Sequence, residues 1–98
     1  MKKVILILFL MSQSVFALNG VYHAEKYVLC TTKEYLDDWA NFINDGDRAS
    51  MNSYYGTKCI MLKNSVNVSS IDTHIFSGTV SFFYKGHKFW GYMEGIKQ

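Results

Sequence analysis

The stretch from Ser77 to Ile96, SGTVSFFYKGHKFWGYMEGI, decides the fold. Residues 79–84 alternate between the two faces of an extended chain, with valine, phenylalanine and tyrosine on one of them. This period of two is typical of a strand with one buried face. Lys85-Gly86 interrupts the run, and glycine can supply the positive φ that a tight turn needs. Aromatic residues are frequent in 87–92, so we predict a β-hairpin.

The same stretch resembles the end of bacterial SH3-type domains, which have a glycine turn followed by a short strand with a tryptophan dipeptide. The match consists of Gly78–Phe82, Lys85-Gly86, Trp90-Gly91-Tyr92 and Ile96, and Ser65–Val68 resembles the first strand of such a domain. The resemblance covers roughly residues 58–96. It implies a small SH3-like β-barrel, a fold that often binds peptides or cell-wall segments through an aromatic groove. The alternative is a tryptophan-containing hairpin in another fold.

The start of the chain has the pattern of a secretory signal. Lys2-Lys3 precedes an apolar run over residues 4–11, and Val15-Phe16-Ala17 supplies a cleavage site for signal peptidase. The run is much shorter than the roughly 20 residues that span a bilayer. We therefore predict a signal peptide at 1–17, a single domain at 18–98, a periplasmic or secreted location, and no membrane span after cleavage.

Cleavage changes the charge of the protein. Without Lys2 and Lys3, eight basic residues stand against eight acidic ones, so residues 18–98 are formally neutral. Phosphate binding needs clustered lysine and arginine, and the chain has a single arginine, Arg48. A nucleic-acid partner is therefore not expected.

Cys30 and Cys59 are the only cysteines in the chain. An even pair in an exported protein predicts a disulfide. A bridge that closes about 30 residues stabilises a fold by roughly 3–4 kcal/mol on the chain-entropy estimate. Because a small domain buries a modest core, this is a large share of its stability.

Residues 31–55 have the pattern of a helical hairpin. Thr31 and Glu34 form a capping box, and apolar residues then recur at helical spacing up to Ile43. Gly46 ends the first helix, and Asp47 caps a second, shorter one. The whole resembles small exported bacterial proteins with a disulfide-clamped helical pair, a resemblance that implies no activity. The expected fold class is α+β, with an N-terminal helical hairpin packed on a small SH3-like β-barrel.

No catalytic or metal-binding pattern is present in the sequence. His23, His74 and His87 have no regular spacing with one another or with carboxylates. Cys30 is expected in the disulfide rather than as a nucleophile, and no triad or carboxylate pair can be placed. We expect neither an enzyme nor a cofactor.

Aromatic residues make up 16% of the chain, more than a small core can hide. Surface aromatics are favoured anchors for recognition. The candidate binding residues are Trp90, Tyr92, Tyr54 and Tyr55, with Trp90 at the rim of the groove and Phe89 in the core. The alternative is that these side chains merely cover the core.

The sequence therefore predicts a non-enzymatic binding module for an envelope protein or a cell-wall segment. The alternative function is a protein inhibitor of an envelope enzyme such as a cell-wall hydrolase, including a phage-encoded one. A protruding loop with a charged tip would favour inhibition.

Overall fold

The structure is a computed structural model that describes residues 18–97. The predicted signal peptide, residues 1–17, and Gln98 lie outside the described residues. Seven strands and two α-helices follow in chain order: β1 (Gly20–Tyr22), β2 (Leu29–Cys30), α1 (Lys33–Asp45), α2 (Arg48–Tyr54), β3 (Cys59–Ile60), β4 (Val66–His74), β5 (Thr79–Tyr84), β6 (His87–Tyr92) and β7 (Ile96–Lys97). A short 3-10 turn, Met93–Gly95, joins the last two strands.

The strands form one open sheet in the order β3-β2-β6-β5-β4-β1-β7, and every pair of neighbours is antiparallel. Both edges of the sheet are two-residue strands, β3 and β7. Strand β4 contains a bulge between Ser69 and Asp72, where Ser70 has a φ of 51°. Residues 66–68 of β4 pair with β1, whereas β5 pairs with β4 on both sides of the bulge, at Ser69 and at residues 72–74.

The predicted hairpin is confirmed. Tyr84 pairs with His87, so Lys85-Gly86 is a two-residue connection. Lys85 has a φ of 51° and Gly86 a φ of 81°. Positive φ at both positions is the type I′ turn, whose twist matches that of the flanking strands.

The predicted fold class is wrong in two respects. The helices follow β1 and β2, so the helical hairpin is not N-terminal, although both helices lie within the predicted range 31–55. The sheet does not close into an SH3-like barrel over residues 58–96, because it takes two strands from before the helices and ends in two free edges. Strands of two and three residues are too short to show a period, which is why the sequence did not predict the place of β1 and β2 in the sheet.

Two apolar clusters lie on opposite faces of the sheet. The first contains Val80 and Phe82 of β5 together with Tyr22, Ala24, Leu29, Val68 and Ile71. The second lies between the sheet and the helices and contains Val28, Cys30, Leu36, Trp39 and Cys59. Leu36 and Trp39 come from one face of α1, as the helical period predicts.

Both helices have side-chain caps at their N-termini. Thr32, not Thr31, caps α1 and accepts a hydrogen bond from the Tyr35 N–H at 3.1 Å. Thr31 instead extends the β2–β3 pairing, since its N–H donates to the Lys58 carbonyl at 2.9 Å. Asp47 caps α2 as predicted, accepting from the Ser50 N–H at 3.1 Å.

The disulfide between Cys30 and Cys59 is confirmed. The two residues face each other across the β2–β3 pair, and both are buried. The bond therefore joins the strand that leads into α1 to the strand that follows α2.

Tyr22 is one of two fully buried aromatic side chains in the first cluster, together with Phe82. It is fully buried, and its ring packs on Phe82 with the centroids 4.8 Å apart. Its hydroxyl donates to the Val28 carbonyl at 2.6 Å and accepts from the Tyr92 N–H at 3.1 Å. Burial raises the pKa of the phenol well above its usual value.

Candidate binding surface

The β4–β5 turn carries two large apolar side chains that nothing covers. Ile75 is 74% exposed and Phe76 is fully exposed; we refer to these two residues as the apolar tip. The turn beneath them is held by the Ser77 and Gly78 N–H groups, which donate to the His74 carbonyl at 3.2 and 3.0 Å. The apolar tip is thus presented by an ordered turn between two long strands. Adjacent exposed apolar side chains of this kind mark an interaction site more often than isolated ones do.

The Trp90 ring contacts His74, the residue directly before the apolar tip, and Lys88. The His74 ring stacks on it with the centroids 4.9 Å apart, and the Lys88 ammonium group lies 5.3 Å from its ring centroid. The His74 Nε2 atom is 3.8 Å from the Asp72 carboxylate. Trp90 also packs against the second cluster and is half-buried, so it does not present an open face.

Tyr92 shares the helix-facing side of β6 with Trp90, as the alternation predicts, and it is also half-buried. Its hydroxyl donates to the Leu36 carbonyl at 3.4 Å. Burial, together with the nearby Asp37 carboxylate, raises the pKa of Tyr92. Phe89 packs on the opposite side, against the first cluster. Tyr92 therefore joins the sheet to α1.

Tyr54 and Tyr55 end α2 and differ in exposure. The Tyr54 hydroxyl donates to the Asp38 carboxylate at 2.6 Å, and this bond raises the pKa of Tyr54 to about 12. The Lys58 ammonium group lies 4.5 Å from the Tyr54 ring centroid. Tyr55 is 53% exposed, and its hydroxyl reaches the Met61 carbonyl at 3.3 Å.

The four predicted binding residues do not form one surface. Trp90, Tyr92 and Tyr54 all pack against the second cluster, and Tyr55 is the only exposed one of the four. The sequence reading missed Ile75 and Phe76. A usable signal was the apolar pair directly before the Ser77-Gly78 turn, where polar residues are expected.

A groove lies between α1 and the end of β6, which we call the α1 groove. Its volume is about 390 Å³, and its apolar walls are Tyr27, Val28, Trp39, Ala40, Ile43 and Tyr92. Three exposed polar residues complete the lining: Lys26, Asn44 and Glu94. Ile43 is 54% exposed although it lies on the apolar side of α1. The groove thus offers apolar contact area beside one positive and one negative charge.

The carboxylates with shifted pKa values have structural roles. Hydrogen bonds from the side chain and N–H of Ser50 lower the pKa of Asp47, which is the cap of α2. A hydrogen bond to its own backbone and one from Ser65 lower the pKa of Glu25. Neither carboxylate lines the α1 groove. No group of three or more potential metal ligands occurs among the described residues.

Comparison of the chain with protein-family models, curated proteins and solved structures gives no match. Over residues 18–97, no helix is both long enough and apolar enough to cross a lipid bilayer.

Proposed function

We propose that the protein is an exported, non-enzymatic binding module whose ligand is a protein of the bacterial envelope. The observation that carries the proposal is the apolar tip, Ile75 and Phe76, which projects uncovered from the β4–β5 turn. The predicted signal peptide and the Cys30–Cys59 disulfide support an oxidising compartment.

The apolar tip has the properties of an interface anchor. Burying a phenylalanine or isoleucine side chain in a partner gains roughly 1.5–3 kcal/mol. The turn is already ordered by hydrogen bonds to the His74 carbonyl, so little conformational entropy is lost on binding. A few such anchors supply most of the affinity of a protein interface.

A protein ligand is favoured over a cell-wall glycan. A sugar ring binds to an open aromatic face, whereas the Trp90 ring is half-buried, with His74 stacked on it and the Lys88 ammonium group 5.3 Å from its centroid. The Tyr92 and Tyr54 side chains are directed at internal partners. The exposed apolar tip instead suits a pocket lined by apolar side chains.

The alternative function is inhibition of an envelope enzyme, which a protruding loop with a charged tip would favour. Residues 73–79, which form the turn and its flanks, contain no lysine, arginine, aspartate or glutamate. Nothing in the turn therefore favours inhibition over simple binding.

The test is capture of envelope proteins from a periplasmic extract on the immobilised protein. We expect Phe76→Ser to weaken capture of the bound protein by roughly 30-fold or more, the scale of an interface hot spot. Phe83→Ser is the matched control, because Phe83 is also exposed but lies towards the other end of β5. Thermal melts check that both variants stay folded.

Two results would overturn the proposal. One is equal capture by the parent protein, Phe76→Ser and Phe83→Ser. The other is retention of cell-wall fragments alone, without any bound protein.

A further inference from the structure

His74 is the last residue of β4 and lies directly before the apolar tip. We infer that His74 is a pH-sensitive switch for this surface: a proton on its ring pairs it with Asp72 and strengthens binding by the apolar tip. The inference rests on the proposed function, because it names how binding at the apolar tip is regulated.

The neutral His74 ring leaves one of its nitrogens unsatisfied. The Nε2 atom is buried and has no hydrogen-bond partner among the described residues. The Asp72 carboxylate lies 3.8 Å from it, which is too far for a hydrogen bond. Most buried polar atoms in proteins have a partner, and a buried atom without one costs free energy. An interaction therefore remains to be gained at this position.

Protonation supplies that interaction. An imidazole changes its charge between about pH 5 and pH 8. The His74 side chain is 34% exposed, so a proton from solvent can reach the ring. Both ring nitrogens then carry an N–H group, and the charged ring attracts the Asp72 carboxylate. A movement of about 1 Å brings the two atoms to the distance of a charge-assisted hydrogen bond.

Trp90 holds the His74 ring where this bond can form. The two rings stack 27° from parallel, with their centroids 4.9 Å apart. The face of an indole attracts a cation, so the stack becomes stronger when His74 is charged. The Lys88 ammonium group lies 5.3 Å from the same indole centroid and opposes a second positive charge. Asp72 and Trp90 thus favour the charged ring, and Lys88 disfavours it.

The neighbouring groups keep their charge between about pH 5 and pH 8. Thr79, which pairs with His74 from β5, is not ionisable in this range. Tyr92 pairs with Thr79 from β6, and burial beside the Asp37 carboxylate of α1 raises the pKa of its phenol further above neutrality. Aspartates are ionised throughout this range. The charge state of the site therefore depends on His74.

The main chain of His74 holds the turn that presents the apolar tip. Its carbonyl accepts hydrogen bonds from the Ser77 and Gly78 N–H groups and, at 3.2 Å, from the Ser77 hydroxyl. His74 also lines a concavity of about 400 Å³ together with Ile75 and Phe76. A ring fixed by Asp72 and Trp90 therefore fixes the start of the turn and one wall of this concavity.

The charge of the His74–Asp72 pair sets the direction of the effect. With a neutral ring the pair carries one negative charge, beside a turn that has no other charge. An apolar partner that covers the concavity removes water from that charge, which costs free energy. With a protonated ring the pair is neutral, so this cost is reduced. Binding should therefore become stronger as the pH falls.

The first experiment is a pH titration of tryptophan fluorescence on the purified protein. A protonated imidazole quenches an indole stacked on it, so the emission of Trp90 should decrease as the pH falls from about 8 to about 5. His74→Gln should abolish the change. Asp72→Asn should move its midpoint to lower pH, and Lys88→Met should move it to higher pH.

His87→Gln is the matched control for this titration. His87 is exposed, and the alternation of β6 places it on the opposite face from Trp90, so the change should persist in this variant. Thermal melts check that each variant stays folded. NMR of the His74 ring protons follows the same titration in the parent protein, without any substitution.

The second experiment measures capture from the periplasmic extract as a function of pH. The probe is the protein that the immobilised parent retains and Phe76→Ser does not. We expect retention to be about fivefold stronger at about pH 5.5 than at about pH 8, the lower end of coupling between two sites. In His74→Gln the retention should not depend on pH.

A fluorescence change that is absent from the parent or unaltered in His74→Gln would overturn the inference, and so would equal retention at both pH values. These results would leave the proposed function standing, because it depends on the effect of Phe76→Ser at a single pH. Capture that Phe76→Ser does not weaken would overturn the proposed function and this regulation with it. The fluorescence titration would still report the His74–Asp72 pair in that case, so the two failures are distinguishable.

Discussion

The ring of Tyr22 lies directly against the backbone of Gly91. A Cβ atom at position 91 would come within 2.6 Å of the Tyr22 Cζ atom and 2.8 Å of its Cε1 atom. Gly95 borders the same ring, where a Cβ atom would be 2.8 Å from Cε1. The glycine in β6 is therefore required by a side chain from the first strand, and not by a turn or a bulge.

We predict that Gly91→Ala lowers the free energy of unfolding by about 1–3 kcal/mol through overpacking. Gly91 pairs with Val80 in the sheet, so the strand cannot simply move away. Urea unfolding measures the effect. In a Tyr22→Leu background the ring is gone, and the cost of the alanine should shrink. An equal cost in both backgrounds would contradict the proposed contact.

We predict that Tyr22→Phe destabilises the protein by about 1–3 kcal/mol at neutral pH, because the Val28 carbonyl and the Tyr92 N–H lose their buried partner. The pKa of Tyr22 is raised in the folded state, so the protonated phenol stabilises the fold fully below its unfolded pKa of about 10. As the pH rises above 10 towards the folded pKa, this contribution is lost.

The measurement is the difference in stability between the parent protein and Tyr22→Phe from pH 8 to pH 11. The difference should be constant up to about pH 10 and then decrease, by at most about 1.4 kcal/mol per pH unit for one proton. A difference that stays constant up to pH 11 would show that the Tyr22 pKa is not raised by folding.

We predict that replacing Cys59 by serine lowers the free energy of unfolding by about 2–5 kcal/mol, more than the loss of any single core side chain of similar size. The bridge spans a sequence separation of 29 residues and encloses both helices. Guanidinium unfolding of Cys59→Ser and of the Cys30→Ala/Cys59→Ala double variant gives the magnitude. Alkylation of both thiols in the native, unreduced protein would contradict the bond.

We predict that Trp90→Ala and Phe89→Ala both destabilise the protein. The sequence placed Trp90 at a groove rim, where its removal costs little stability. In the structure it packs against the second cluster and His74. Loss of either half-buried ring should cost about 2–4 kcal/mol, somewhat less than for a fully buried aromatic. An unchanged melting temperature for Trp90→Ala would contradict this prediction and support a position of Trp90 at the rim of a groove.

We predict that the mature protein begins at Leu18. The positive start, the short apolar run and Val15-Phe16-Ala17 are the basis for this cleavage site. N-terminal sequencing of protein recovered from the periplasm is the check. Intact chains starting at Met1 in the inner membrane would contradict it.

The parts of the fold that sequence predicted are those with a local signal. The hairpin turn at Lys85-Gly86 and the two helices depend on residues that are close in the chain. The cap of α1 was misplaced by one residue because Thr31 is held by Lys58, which is 27 residues away. The residues near Thr31 give no sign of this hydrogen bond to Lys58, so they could not indicate which threonine caps the helix.

The parts that sequence did not predict depend on distant pairing. Strand β1 joins the sheet between β4 and β7, and β2 pairs with β6 through Cys30 and Trp90. The pairing of β1 and β2 depends on the buried Tyr22 side chain and on the disulfide. The strands themselves are too short to carry an alternating pattern. The sequence analysis also missed Ile75 and Phe76. Their exposure depends on the position of the β4–β5 turn in the fold, which the apolar character of the two residues does not indicate.

The enclosure of Tyr22 also sets a condition on when the native core can form during synthesis. Its hydroxyl partner Tyr92 is made 70 residues after Tyr22, and its neighbours Gly91 and Gly95 are made at the same late stage. A growing polypeptide that ends before Gly91 therefore has no pocket for this ring and cannot complete β1 between β4 and β7. Such dependence on contacts between distant segments delays folding until residues 91–95 have been made. If the chain is exported unfolded, as the pattern of residues 1–17 predicts, that delay keeps it competent for transport until these residues emerge.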